Sequence, residues 1–235
     1  TFGDLLDQIN LEMDLTNETF TGSDEMVGIA NRAIDKAEAH VHKLGMQAEY
    51  FLNSAALSLV SGTKAYSFPA DIYGQMIREI VYRNGAELYP VVEIPKNLKN
   101  KFSYIENRDN NDTNADYKFW IKHADATTGY QIVLSPAART TSSTIMTVYY
   151  IRNATRIPLV TGGSLSASRA IKMDIPEARN FLLADMKCQI AAKEVGHPLM
   201  AAYDMDRERE LELMINTMSE QTATNQTEIE PDTRH

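Results

Sequence analysis

Two hydrophobic periods share this chain, and their order constrains the fold more than any motif does. Toward both ends apolar residues recur every three or four positions, the spacing of a helix with one buried face; in the middle they alternate, the spacing of strands. Leu5, Leu6, Ile9 and Met13 predict a short helix over residues 4–13. Residues 16–22 read as a turn-rich break. Met26, Ala30, Ala33, Ile34, Ala37, Val41 and Leu44 predict a second helix, with Asp35, Lys36, Glu38 and Lys43 mainly off the stripe. Ser23 or Asp24 is placed to cap it, with acids in the first turn where the helix dipole favours them, and Gly45 to end it.

After Gly45 the period changes to two. Residues 57–62, 65–69, 77–82, 87–92, 117–122, 130–134 and 144–150 read as strands, six or seven in all. Asn84-Gly85 between two of them signals a hairpin, because both residues tolerate positive φ. Pro90 places the second strand of that hairpin at a sheet edge, since proline has no N–H for a ladder. Residues 95–102 are compatible with one short helix. The helical period returns at Asp174-Ile175-Pro176-Glu177, which has the form of an N-cap followed by proline and an acid. The helix that follows is apolar nearly all round (Phe181, Leu182, Leu183, Met186, Ile190, Ala191, Ala192, Val195), so it is expected at the centre of a bundle, ending at Gly196. A last helix opens at Pro198, with Leu199, Tyr203, Leu211, Met214, Ile215 and Met218 on one face and charges on the other. From Ser219 to His235 Ile229 is the only large aliphatic residue, too little apolar surface to offset the cost of ordering the chain.

The expected fold class is α+β: a helical bundle domain in two parts, residues 1–47 and 158–218, with an inserted antiparallel β domain over 48–157 and an extended C-terminal arm over 219–235. The two helical parts lie far apart in sequence, and each needs the other to bury its stripe.

Composition narrows the function. The chain has 235 residues and a net charge of −9, with 32 acidic against 23 basic side chains, which disfavours tight DNA binding unless bases segregate on one face. Lys96, Lys99, Lys101 and Arg108 are the densest basic stretch and the expected exception. No apolar run approaches the ~20 residues of a membrane span, and the N-terminal residues do not read as a signal peptide. Cys188 is the single cysteine, which excludes a disulfide framework within the chain and fits a reducing cytosol or a particle assembled there.

The motifs of catalysis fail one by one. Ser61-Gly62-Thr63-Lys64 lacks the upstream glycine and following helix of a phosphate loop and reads as a turn. His40 and His42 stand two residues apart on a helix, pointing to different sides, so they do not share a metal. Residues 109–116 resemble a calcium loop, but its sixth and twelfth positions fall on Asn114 and Trp120 instead of glycine and glutamate. Glu208 and Glu212 lie one turn apart, but a mixed-charge helix face explains them better than a cation site. Cys188, on an apolar helix, reads as a small core residue. No cofactor and no catalytic pocket are expected.

Nearly the whole chain resembles one family. The elements are Phe2-Gly3-Asp4-Leu5-Leu6-Asp7-Gln8-Ile9-Asn10, Val27-Gly28-Ile29-Ala30-Asn31-Arg32-Ala33-Ile34, Gly62-Thr63-Lys64-Ala65-Tyr66-Ser67-Phe68-Pro69-Ala70-Asp71-Ile72, Ile132-Val133-Leu134-Ser135-Pro136, Val148-Tyr149-Tyr150, and the closing helix pair with its trailing arm. Together they resemble the head-to-tail adaptor (connector) proteins of tailed bacteriophages, especially the short-tailed type. The resemblance implies a structural subunit of the virion neck, assembled in the host cytoplasm, and no enzyme. It implies a ring, usually of twelve copies, bound beneath the portal, with a tail or nozzle protein on its other side and DNA passing through the lumen. The arm would dock on the portal through Glu228, Ile229, Glu230, Pro231 and Asp232. Arg207, Glu208, Arg209, Glu210 and Glu212 would face the neighbouring subunit. Two alternatives stay open: another tail or baseplate subunit, and a hydrolase with a non-standard site.

Overall fold

The computed structural model describes residues 1–15, 23–95, 97–98, 117–125, 129–158, 170–193 and 197–227. Five α-helices and eight strands lie in these residues: α1 Phe2–Glu12, α2 Ser23–Leu44, α3 Gln47–Phe51, β1 Leu52–Ala56, β2 Ala65–Ser67, β3 Ile72–Asn84, β4 Glu87–Pro90, β5 Val92–Glu93, β6 Lys118–Asp125, β7 Gly129–Ser135, β8 Met146–Arg152, α4 Arg179–Ala191 and α5 Met200–Thr227. The fold is α+β. The chain divides into two compact units, one of residues Thr1–Tyr50 with Ala154–His235, the other of Phe51–Asn153; the sequence reading sets the corresponding breaks at 48 and 157.

In the first unit α1 starts at Phe2, earlier than its apolar stripe suggests, because Thr1 caps it. The Thr1 hydroxyl accepts the Asp4 N–H while the Asp4 carboxylate takes the Thr1 backbone, a reciprocal capping box. Ser23 and Asp24 lie inside the first turn of α2. Gly45 follows α2 with a φ of 77°, the left-handed conformation that glycine adopts without strain. The α2 stripe is buried from Met26 to Val41, and Val27 and Ile29 widen it, whereas Leu44 at its end is 37% exposed. Glu38 departs from the expected pattern: at 3% exposure it belongs to the buried face. α4 is buried on nearly all sides, from Phe181 to Ala191, and includes the fully buried Asp185.

Asp174 does not cap α4. A 3₁₀ turn over Pro176–Ala178 comes first, its cap position held by Ile175 without a side-chain bond, and the Asp174 carboxylate instead accepts the Thr155 N–H at 2.6 Å. α5 buries Met214 and Met218, but Leu199 is 51% exposed. It also runs on to Thr227, so residues 219–227 are helical where the sequence predicts extended chain. Once a helix is nucleated, each further residue adds one backbone bond, and a polar composition does not stop it.

The second unit holds two four-stranded sheets, ordered β1-β8-β3-β4 and β2-β7-β6-β5. Their inward faces share one core of Leu57, Leu59, Tyr66, Ile80, Val91, Phe119, Ile132, Leu134, Met146, Val148 and Tyr150 among others. The β3–β4 hairpin forms where Asn84-Gly85 signals it, but its two turn residues are Gly85 and Ala86: Asn84 is the last residue of β3, paired to Glu87, and Gly85 alone takes a positive φ, 63°. β4, which ends in Pro90, is a sheet edge. Three differences from the sequence reading stand out. Leu52–Ala56 is a strand, pairing Leu52 with Ile151 through Ala56 with Thr147. Residues 57–62 make only one bridge, Leu59 with Ser142. The sheets are not wholly antiparallel, since β5 runs parallel to β6 with Val92 opposite Lys118. Of the helix considered over 95–102, only a turn at Pro95–Leu98 falls within the described residues. The expected break at 16–22, the loop at 109–116 and Gly196 lie outside them.

Candidate functional site

The first unit is held together by polar side chains that reach across long stretches of sequence. Glu38 on α2 accepts the buried Ala154 N–H at 2.7 Å and the Arg156 guanidinium at 2.7 Å. Arg156 also reaches Asp35, one turn back. Asn31, a turn further on, exchanges two bonds with the backbone of Ile157, at 2.8 and 2.9 Å. α2 therefore presents a row of acceptors that fixes residues 154–157. On α4, Asp185 takes both bonds of Lys36, at 2.6 and 2.9 Å, and a third from Gln189 at 2.7 Å, while Gln189 accepts from Arg32 at 2.8 Å. A buried carboxylate is tolerated because each oxygen is matched.

These groups are structural. Among the described residues no three His, Cys, Asp or Glu side chains come close enough to hold a metal ion. The two α2 histidines part as their spacing predicts: His40 meets the Phe181 ring edge-on at 6.2 Å, and His42 lies 3.9 Å from Glu38. Burial lowers the pKa of both. Burial likewise pushes the Cys188 thiol up to about 11, which keeps it protonated and unreactive near neutral pH. No described helix is long and apolar enough to cross a membrane.

The charged band on α5 splits in two. Arg207 pairs with Asp204 at 3.2 Å, and Arg209 with Asp206 at 3.4 Å and Glu210 at 3.0 Å, so both arginines are satisfied within their own helix. Arg209 and Glu210 also border a polar cleft with Glu12, Asn180, Lys187 and Tyr203, where Lys187 and Glu12 form an ion pair. Glu208 and Glu212 face solvent. Beside them the same helix exposes Met205 at 72% and Leu213 at 52%, two turns apart. Sequence reasoning missed this pair because attention went to the charges; the i, i+8 spacing off the buried Met214–Met218 stripe was the available signal. Glu228, Ile229, Glu230, Pro231 and Asp232 lie outside the described residues, as do Lys96, Lys99, Lys101 and Arg108.

Charge also separates by unit. Residues 51–153 carry eleven Lys and Arg against nine Asp and Glu, and the rest of the chain twelve against twenty-three. All of the net negative charge therefore belongs to the helical unit. The helical unit is thus acidic and leaves apolar residues exposed on its last helix.

Comparison with known families decides the matter. The sequence model of the SU10 adaptor protein matches residues 1–230. The chain belongs to that family. It is a bacteriophage adaptor, and the role that goes with the family is structural. Among curated proteins none matches the adaptor. On the adaptor's α5, Met205 and Leu213 are exposed apolar residues beside the solvent-facing Glu208 and Glu212.

Proposed function

We propose that this adaptor is the subunit of a ring, of twelve copies, that sits beneath the portal of a short-tailed phage and joins head to tail. In this reading the acidic helical unit is a bundle domain that meets neighbouring subunits and the portal. The β unit is a domain inserted into it that faces the tail side, and DNA crosses the lumen without specific binding. The observation that carries the reading is the family match over 1–230, nearly the whole chain.

Side-by-side contact between subunits uses the outward face of α5, with Met205 and Leu213 as apolar anchors and Glu208, Arg209 and Glu212 as the polar rim, Arg207 and Glu210 bracing the helix from behind. Docking on the portal uses the C-terminal arm, where Ile229 supplies the apolar contact and Glu228, Glu230 and Asp232 meet basic residues, with Pro231 favouring an extended path. No catalysis is part of this function.

Electron microscopy of the purified protein, with and without portal, tests the reading. Closed rings that cap the portal are expected. Removal of residues 228–235 is expected to leave the melting temperature unchanged and abolish portal attachment. Full portal affinity after that truncation would remove the arm from the mechanism, and a robust hydrolytic activity in the purified protein would remove the structural reading itself.

A further inference from the structure

The β1-β8-β3-β4 sheet has one face in the β core and one face outside it, and its ladders say which residues lie on which. Side chains alternate along a strand, and residues directly opposite in a ladder share a face. Met146, Val148 and Tyr150 of β8 belong to the core. Thr147 and Tyr149, which alternate with them, therefore point outward. So do their partners on β3, Val81 and Glu79. Arg83, two residues on from Val81, completes that row. On β4, Pro90 opposite Val81 and Leu88 opposite Arg83 point the same way, as does Leu52 of β1, opposite Ile151.

The solvated face of an antiparallel sheet ordinarily carries polar residues. This one carries Leu52, Val81, Leu88, Pro90 and Tyr149, of which only Val81 is half-buried and the rest are exposed. At its paired positions it has two charges, Glu79 and Arg83, both exposed. Tyr149 stands opposite Glu79 and Leu88 opposite Arg83. Each large apolar group thus has a charge beside it, and the two pairs lie four residues apart along β3, about 13 Å.

The outward face of α5 repeats this arrangement with the signs reversed. Met205 and Leu213 are eight residues apart, about 12 Å along the helix axis. The exposed Arg209 lies one turn after Met205, and the exposed Glu212 adjoins Leu213. An apolar anchor with a cation and an apolar anchor with an anion therefore match, at nearly the same spacing, Tyr149 with its anion and Leu88 with its cation. Exposed apolar residues grouped in this way mark contact surfaces. A closed ring of identical chains needs two different faces that fit each other. Met205, Leu213, Leu52 and Leu88 are each more than half exposed, so both faces are open on a single chain.

We propose that the outward face of α5 in one copy packs on the outward face of the β1-β8-β3-β4 sheet in the next copy. Leu213 lies against Leu88 with Glu212 on Arg83, and Met205 lies against Tyr149 with Arg209 on Glu79. The inference rests on the ring reading above and names the surface that α5 meets.

Charge exchange and crosslinking test it in the full-length protein. Arg83→Glu and Glu212→Arg are each expected to keep the wild-type melting temperature and to raise the concentration at which rings form by about tenfold or more; the two together restore it to within about threefold. Leu88→Cys with Leu213→Cys is expected to give a ladder of covalent oligomers on a denaturing gel after mild oxidation, and neither single variant to give one, Cys188 being 2% exposed. Rings that form normally in both charge variants, a double variant no better than its parents, or a disulfide confined within one chain overturn the pairing of these two faces and leave the ring reading intact. Wild-type chains that stay monomeric at every concentration, with no ladder from the paired cysteines, overturn both.

Discussion

The helical unit and the β unit solve the same problem with different materials. The helical unit is made of two stretches, 1–50 and 154–235, and polar side chains of α2 and α4 tie them: Glu38 to Ala154 and Arg156, Asn31 to Ile157, Asp185 to Lys36. The β unit is one continuous stretch, and a shared apolar core with regular ladders holds it. Hydrophobic contact is non-directional, so it suffices where chain connectivity already dictates which strands meet. Where a distant segment must be held in one register, buried hydrogen bonds add the direction that apolar contact lacks.

Four measurements break or sharpen this contrast. The largest loss is expected from Ile132→Ala, which empties the centre of the β core at a cost of about 4 kcal/mol; chemical denaturation should show it in the β unit. Glu38→Ala should cost the helical unit about 2 kcal/mol, because it leaves the buried Ala154 N–H without its acceptor and removes one of the two carboxylates that hold Arg156, Asp35 remaining. If Glu38→Ala is neutral, the polar ties are decoration on an apolar bundle and the contrast fails. Gly85→Ala forces a Cβ into positive φ with no neighbour to hit, so only backbone strain of about 1 kcal/mol is expected.

Acid should produce the smallest effect, and in one unit only. His40 and His42 have lowered values through burial, so the stability they contribute is present above about 6.5 and falls as pH drops below it. Glu12 is held low chiefly by its bond to Lys187, and that contribution is lost below about 4.5. All three belong to the helical unit. A thermal melt followed from pH 7 to 4 should soften that unit first, and softening of the β unit first would reverse the comparison.

Much of this was legible from spacing. The α2 stripe, the all-round burial of α4 and the Asn84-Gly85 hairpin follow from periodicity and turn chemistry, which are local. Glu38 shows where that logic stops. It lies one turn from Ile34, squarely on the stripe, yet a charged residue reads as solvated because the partner that draws it inward is 118 positions away. Asp185 is the same case. β1 was missed because Leu52–Ala56 has no alternating apolar pattern of its own; its pairing with the apolar β8 makes it a strand. On α5, the residues 219–227 follow from cooperativity and not from composition. Of the candidate site, the charges were legible and the exposed Met205 and Leu213 were not, because exposure depends on which helix face the rest of the unit covers.

The pairing of Leu52 with Ile151 has a consequence for how such chains diversify. It brings the first strand residue of the β unit beside the next-to-last one, about 5 Å apart between Cα atoms. To the stretches on either side, a hundred residues then look like a gap no wider than a tight turn. Any module whose own ends meet across one such pair is a geometrically equivalent replacement. Recombination at residues 51 and 153 could therefore exchange the entire β unit, and with it whatever the adaptor recognises there, without altering a single contact among the helices.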